Sequence, residues 1–177
     1  IHLGQKAEDG FIEDLQAVLR GRQLLITPGV EQEVATVALR RCEGRPNLLK
    51  ALDSMLHTVP VEEEDIRSLA QRIGESAAPQ DVDLSLMVLA DGLGAESSDV
   101  VLVSDDFKMT TTAESTDLRF ETCPPSTFLQ RLVADAPDAG RDARFRSLSR
   151  QVRAAEMKYA ISRRSEYDVQ RKLTWMV

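Results

Sequence analysis

Residues 100–107 read VVLVSDDF: Val100, Val101, Leu102 and Val103 form an unbroken apolar run that stops at Ser104 and two adjacent carboxylates, Asp105 and Asp106. Such a run, short and bounded by polar residues, predicts a strand buried on both faces. In an open parallel sheet ligands gather beyond the carboxyl ends of the strands, so this strand would deliver Asp105 and Asp106 to that edge. Side-by-side carboxylates repel each other, and a divalent cation is the simplest way to hold both ionised. Hard oxygen donors favour Mg²⁺ or Mn²⁺ over zinc. The plainer reading is that Asp105 caps the helix that follows.

On either side of this strand the elements alternate. Phe11, Ile12, Leu15, Val18 and Leu19 recur at helical spacing before Gly21, and "QLLITP" reads as a buried strand ended by Pro28. Helix patterns follow at 29–41 and 47–57, then a short extended piece at "VPVEEEDI" and a helix with Ile66, Leu69, Ala70 and Ile73 on one face. "DVDLSLMVLADGLG" is apolar nearly all round, which predicts a helix buried on most sides and ended by Gly92 or Gly94. After VVLV come a weak helix near 107–114, a strand at "LRFETC", a turn at Pro124-Pro125 and a helix through Phe128, Leu129, Leu132 and Val133. The alternation predicts an α/β fold with a parallel sheet and helices on both faces.

From about Gly140 the pattern changes to one long helix with Phe145, Leu148, Val152, Ala155 and Tyr159 in a heptad-like stripe. The division expected is a domain over 1–137 and a basic helical C-terminal extension over 138–177. Charge marks the same boundary. Residues 140–177 carry ten Lys/Arg against four Asp/Glu, +6, while the remainder carries 12 against 25, −13, within a net −7. A basic tail on an acidic body points to nucleic-acid contact, to self-docking, or to an oligomerisation helix whose stripe packs on a second copy.

The 177 residues are enough to bury a sizeable core. No apolar run approaches a bilayer span and no apolar leader opens the chain, so the expectation is a cytoplasmic protein without a membrane role. Cys42 and Cys123 lie far apart, and with only His2 and His57 besides, neither a disulfide framework nor a zinc or histidine-rich metal site is indicated.

Other acids fall near the same sheet edge. "TPGVEQEV" carries Glu31 and Glu33 in the first turns of a helix after a strand, and Asp81 and Asp83 open the buried helix before VVLV. Periodicity does not choose between Glu31 and Glu33, which both flank the Val30/Val34/Val37 stripe, nor between Asp81 and Asp83. Capping for the aspartates and a solvated face for the glutamates are the plain readings.

The ordered set "TPGVEQEV", "DVDLSLMVLADGL" and "VVLVSDDF" resembles the PIN domain, a family of metal-dependent nucleases, over roughly residues 1–135. The resemblance implies a three-layer α/β/α fold with a central parallel sheet, the family's first strand and its Asp being placed just upstream of Ile1. It implies Glu33, Asp83 and Asp106 as ligands of Mg²⁺ or Mn²⁺, with Ser104 orienting water or a ligand and Asp105 assisting. The activity implied is endoribonuclease hydrolysis of RNA phosphodiester bonds. An acidic body suits a phosphate ligand poorly; Arg144, Arg146, Arg150, Arg153, Arg163 and Arg164 of the tail are the candidate RNA contacts, and Trp175 a candidate base-stacking residue. The rival is a catalytically weak or inactive PIN-like scaffold that binds RNA or protein through that tail. A receiver-type phosphoacceptor would carry its acid pair at the first strand, and a Toprim-type DxD would end a strand, whereas Asp81-Val82-Asp83 opens a helix. Phosphate-loop, dinucleotide and serine-hydrolase motifs do not occur.

Overall fold

The computed structural model describes residues 11–19, 22–41, 55–74, 79–135 and 139–174. In chain order these are α1 (Phe11–Leu19), β1 (Leu24–Ile26), α2 (Pro28–Arg41), β2 (Leu56–Thr58), α3 (Glu63–Ile73), α4 (Asp81–Gly94), β3 (Val101–Val103), α5 (Phe107–Ser115), β4 (Glu121–Cys123), α6 (Pro125–Asp135) and α7 (Ala139–Thr174). The protein is therefore mixed α/β and mostly helical. His2, Cys42 and Trp175 lie outside the described residues.

The strands pair in parallel as two two-stranded sheets, β1 with β2 (Leu24 opposite Leu56) and β3 with β4 (Val101 opposite Glu121). Among the described residues these are separate sheets, where the alternation of elements predicts a single central one. The helix expected over 47–57 is also corrected at its end: Leu56–Thr58 is strand β2, bound along β1, and what precedes residue 55 lies outside the described residues. Pro124-Pro125 is less a turn than a helix start. Pro125 is the first residue of α6, a position where the missing N–H costs nothing.

Apolar side chains gather in two clusters. In one, Leu15, Val18 and Leu19 of α1 meet Leu129, Leu132 and Val133 of α6 and Phe145, Leu148 and Val152 of α7. In the other, Leu69 of α3 meets Leu84, Met87 and Ala90 of α4, Leu102 of β3, and Met109 and Ala113 of α5. The first half of the α7 stripe is thus consumed inside this chain. Polar contacts lock it there: Glu156 accepts hydrogen bonds from the Ser126 N–H (2.9 Å) and Ser126 Oγ (2.6 Å), occupying the electropositive start of α6. Ser149 Oγ, buried, donates to the Ser126 carbonyl and accepts from Gln130.

Helix α4 ties the rest together. It packs on α2, α3, α5 and β3, with Leu84, Ser85, Met87 and Ala90 buried. Gly29 lets α2 approach it closely, since a Cβ there would lie 3.2 Å from the Val82 side chain. Just past α3, Gly74 takes a positive φ of 94° and donates back to the Ala70 and Gln71 carbonyls, closing α3 as a glycine cap does. No helix among the described residues is long and apolar enough to cross a membrane.

Candidate acidic site

Three of the acids singled out in the sequence share one electric field. The Asp83 carboxyl is pushed above the ordinary aspartate range, first by burial, then by the negative charges of Asp106 and Glu33. A hydrogen bond from the Gln80 backbone and the positive charge of Lys108 act in the opposite direction. Glu33 stands on α2, Asp83 in the first turn of α4, and Asp106 at the start of α5, so two separated segments bring negative charge within electrostatic range of Asp83.

Tertiary contacts distinguish the members of each pair that spacing left open. The Glu31 carboxylate accepts a hydrogen bond from Thr58 Oγ1 (3.0 Å) at the end of β2, so Glu31 is occupied in joining α2 to the sheet and Glu33 is the glutamate that Asp83 senses. Asp81 instead lines a cavity between α2, α3 and α4. Lys108 escaped the sequence reading; its place two residues after Asp106 was the available signal.

Asp106 has a second role. It is the N-cap of α5, its Oδ1 accepting from the N–H groups of Lys108 (2.7 Å) and Met109 (3.1 Å). The capping role expected of Asp105 therefore falls on Asp106, and exposed Asp105 stands beside it. The cap engages Oδ1 and leaves Oδ2 as the oxygen for another partner. Ser104 fixes this turn from the other side: its Oγ accepts from the Asp106 N–H (3.1 Å) and contacts Met109 Sδ (3.4 Å). Its hydroxyl is thus engaged in shaping the strand-to-helix turn that presents Asp106.

The donors are hard carboxylate oxygens, the chemistry Mg²⁺ and Mn²⁺ require. Repulsion between charges acts over longer distances than a metal–ligand bond, and among the described residues no three His, Cys, Asp or Glu side chains stand close enough together to hold a metal ion. Glu33 and Asp106 thus act on Asp83 through their charge, and the three carboxylates are not gathered as a ligand set.

The candidate RNA contacts divide. Arg144 is committed to Asp14 of α1 through two hydrogen bonds (Nε–Oδ2 2.7 Å, Nη2–Oδ1 2.9 Å). Arg146 lies 3.9 Å from Asp142 in the same helix. Arg150 and Arg153 are exposed on α7, and the side chains of Arg163 and Arg164 lie outside those described. No protein-family model, curated protein or solved structure matches the chain.

Proposed function

We propose that the chain is a PIN-like, metal-dependent endoribonuclease that hydrolyses RNA phosphodiester bonds at Glu33, Asp83 and Asp106. The observation that carries this reading is the raised Asp83 carboxyl, flanked by the charges of Asp106 and Glu33. A partly buried acid kept beside two others is destabilising on its own and is characteristic of sites that work on charge. In this reading the two sheets belong to one layer of a three-layer fold, an arrangement favoured by α4, which bears on β3 and, through Ser85 and Thr27, on the end of β1.

For this activity Glu33, Asp83 and Asp106 would have to close onto Mg²⁺ or Mn²⁺ from their present separation, and the ion when bound would activate water and stabilise the departing oxygen of a phosphodiester. Ser104 holds the turn that aims Asp106, and Asp105 adds charge at the exposed rim. The exposed arginines of α7, Arg150 and Arg153, supply the positive surface that a polyanion needs and the acidic body lacks. Calorimetric titration of Mn²⁺ is the test: saturable heat from the wild type, lost in Asp83→Asn, supports the site.

A second reading has its own observation. Since no three-donor group is assembled among the described residues, the chain can equally serve as an inactive PIN-like scaffold that binds RNA or a protein, including another copy, through α7. Absence of Mn²⁺ heat together with intact RNA binding selects that reading.

A further inference from the structure

Helix α7 outruns the helix it packs on, and side-chain contacts fix its direction. Arg131, late in α6, is paired with Glu121, the first residue of β4, while Ser126 at the start of α6 follows soon after Cys123, the last, so α6 runs back along β4. Ser126 holds Glu156 and Gln130 holds Ser149, so α7 runs antiparallel to α6 and therefore in the direction of β4. Glu156 stands level with the carboxyl edge of β4. Residues 157–174, the second half of α7, continue past that edge as about 27 Å of helix at 1.5 Å per residue.

Asp106 belongs to the same edge. The Ser104 N–H, just past β3, donates to the Cys123 carbonyl at the end of β4 (3.1 Å), and Asp106 stands two residues further on. What rises beside it is mainly positive: Lys158, Arg163, Arg164, Arg171 and Lys172 against Glu166 and Asp168, a net +3, where the chain outside 140–177 sums to −13. Met157, 59% exposed, and exposed Lys158 mark where α7 leaves its cover.

The heptad stripe does not follow the helix out. After Phe145, Leu148, Val152, Ala155 and Tyr159 the next positions in register are Ser162 and Glu166, which deny a second α7 the apolar seam that helix pairing needs. Charge is what this half of the helix has to offer, and an extended polyanion is the partner that charge without an apolar seam suits. We propose that residues 157–174 form an arm that binds the backbone phosphates of an RNA strand where it leaves the acidic edge. The proposal rests on the ribonuclease reading only for what brings RNA to that edge.

The test uses the metal-free full chain, so that no cleavage intervenes, and a long labelled oligouridylate whose affinity is read by fluorescence anisotropy across a salt series. Lys158→Ala, Arg163→Ala and Arg164→Ala together remove three cations from the arm. With each set on a phosphate, the slope of log K against log salt should become shallower by about 2 for a single strand, with the melting temperature unchanged. Neutralising the arm's own acids, Glu166→Gln with Asp168→Asn, should tighten binding, a gain that loss of folding does not produce. No binding by the wild type, an unchanged slope in the triple variant, or no gain in the double variant would overturn the arm. An unchanged slope joined to a lower mass in light scattering overturns it in favour of contact with a second copy. Cleavage that persists with Mn²⁺ while binding ignores the arm removes the arm alone; arm-dependent binding by a chain that never cleaves removes the nuclease reading alone.

Discussion

The Asp91 carboxylate holds Arg119 through three hydrogen bonds, Oδ1 accepting from its backbone N–H (2.9 Å) and Nε (3.2 Å) and Oδ2 from Nη2 (3.0 Å). The pair ties the last turn of α4 to the chain entering β4. The guanidinium hydrogen bond, followed by the backbone N–H and the charge, holds the Asp91 carboxyl below the ordinary aspartate range against a smaller opposing effect of burial. A carboxyl more acidic folded than unfolded contributes stability that is present above the unfolded value and lost as pH falls through the folded one. Asp91→Asn should therefore lower the urea midpoint at pH 7, and the gap to the wild type should close on acidification below about pH 4. A gap constant with pH would show that charge has no part in it.

Two glycines of α4 should answer the same substitution with opposite signs. A Cβ on Gly94 would fall inside the Arg119 backbone carbonyl, whereas one on Gly92 meets nothing within 4 Å. Gly94→Ala must push the β4 approach away from α4 and should cost about 1–3 kcal/mol, as overpacking does. Gly92→Ala adds only helix propensity and should gain about 0.5–1 kcal/mol. Thermal denaturation of the two variants decides the matter, and equal effects would place Arg119 elsewhere.

What spacing could and could not reveal follows from the range of the forces involved. The strand at Val101–Val103, the nearly all-round apolar α4 and the long α7 were legible as elements because each writes itself into a local pattern. The burial expected on both faces of that strand is corrected, since Leu102 is buried but Val101 is 36% exposed, an apolar run not telling which face a neighbour covers. β2 was not legible: Leu-His-Thr continues a helix-like pattern, and only pairing along Leu24–Ile26 makes it a strand. The α7 stripe announced a buried face but not its cover, which Leu129, Leu132 and the α1 leucines supply. Glu33 could be told from Glu31 only through Thr58, 27 residues beyond Glu31, and Asp106 from Asp105 as the cap only through the geometry of the turn.

Phe145 tests whether the start of α7 belongs to the body. Its ring is 1% exposed among α1 and α6 side chains. Phe145→Ala should cost about 3–5 kcal/mol in chemical denaturation, the usual penalty for a large buried cavity. A cost below about 1 kcal/mol would mean that the α7 stripe is covered by something other than this cluster.

The acids predict a trade between stability and binding. Asp83 is destabilised in its charged form, so the folded state holds its proton more tightly than the unfolded one and stability falls as pH rises past the ordinary aspartate value of 3.8. Without metal, Asp83→Asn should raise the melting temperature at pH 7, with the gain disappearing near pH 3; with Mn²⁺ present the wild type should recover the difference and the variant should not. Asp106→Asn keeps a good N-cap while removing the charge, so it should abolish Mn²⁺-dependent RNA cleavage without unfolding α5, as should Glu33→Gln. Glu31→Gln, bonded toward Thr58, should retain cleavage. Full cleavage by both Glu33→Gln and Asp106→Asn removes the nuclease assignment.

The arginines of α7 divide by partner, and salt dependence reads the division. Arg144 is bound to Asp14, with the carboxylate only 16% exposed, so Arg144→Ala should lower stability and leave the salt slope of RNA binding nearly unchanged. Arg150 and Arg153 are exposed, and if both neutralise phosphates, their joint replacement by alanine removes two counterion-releasing contacts. The slope of log K against log salt should then become shallower by about 1.4 for single-stranded RNA, while the melting temperature stays within a degree or two of the wild type. Fluorescence anisotropy across a salt series measures the slope directly. An unchanged slope with a changed mass in light scattering would assign this face of α7 to contact between copies of the chain, because a protein interface buries arginines without releasing counterions from a polyanion.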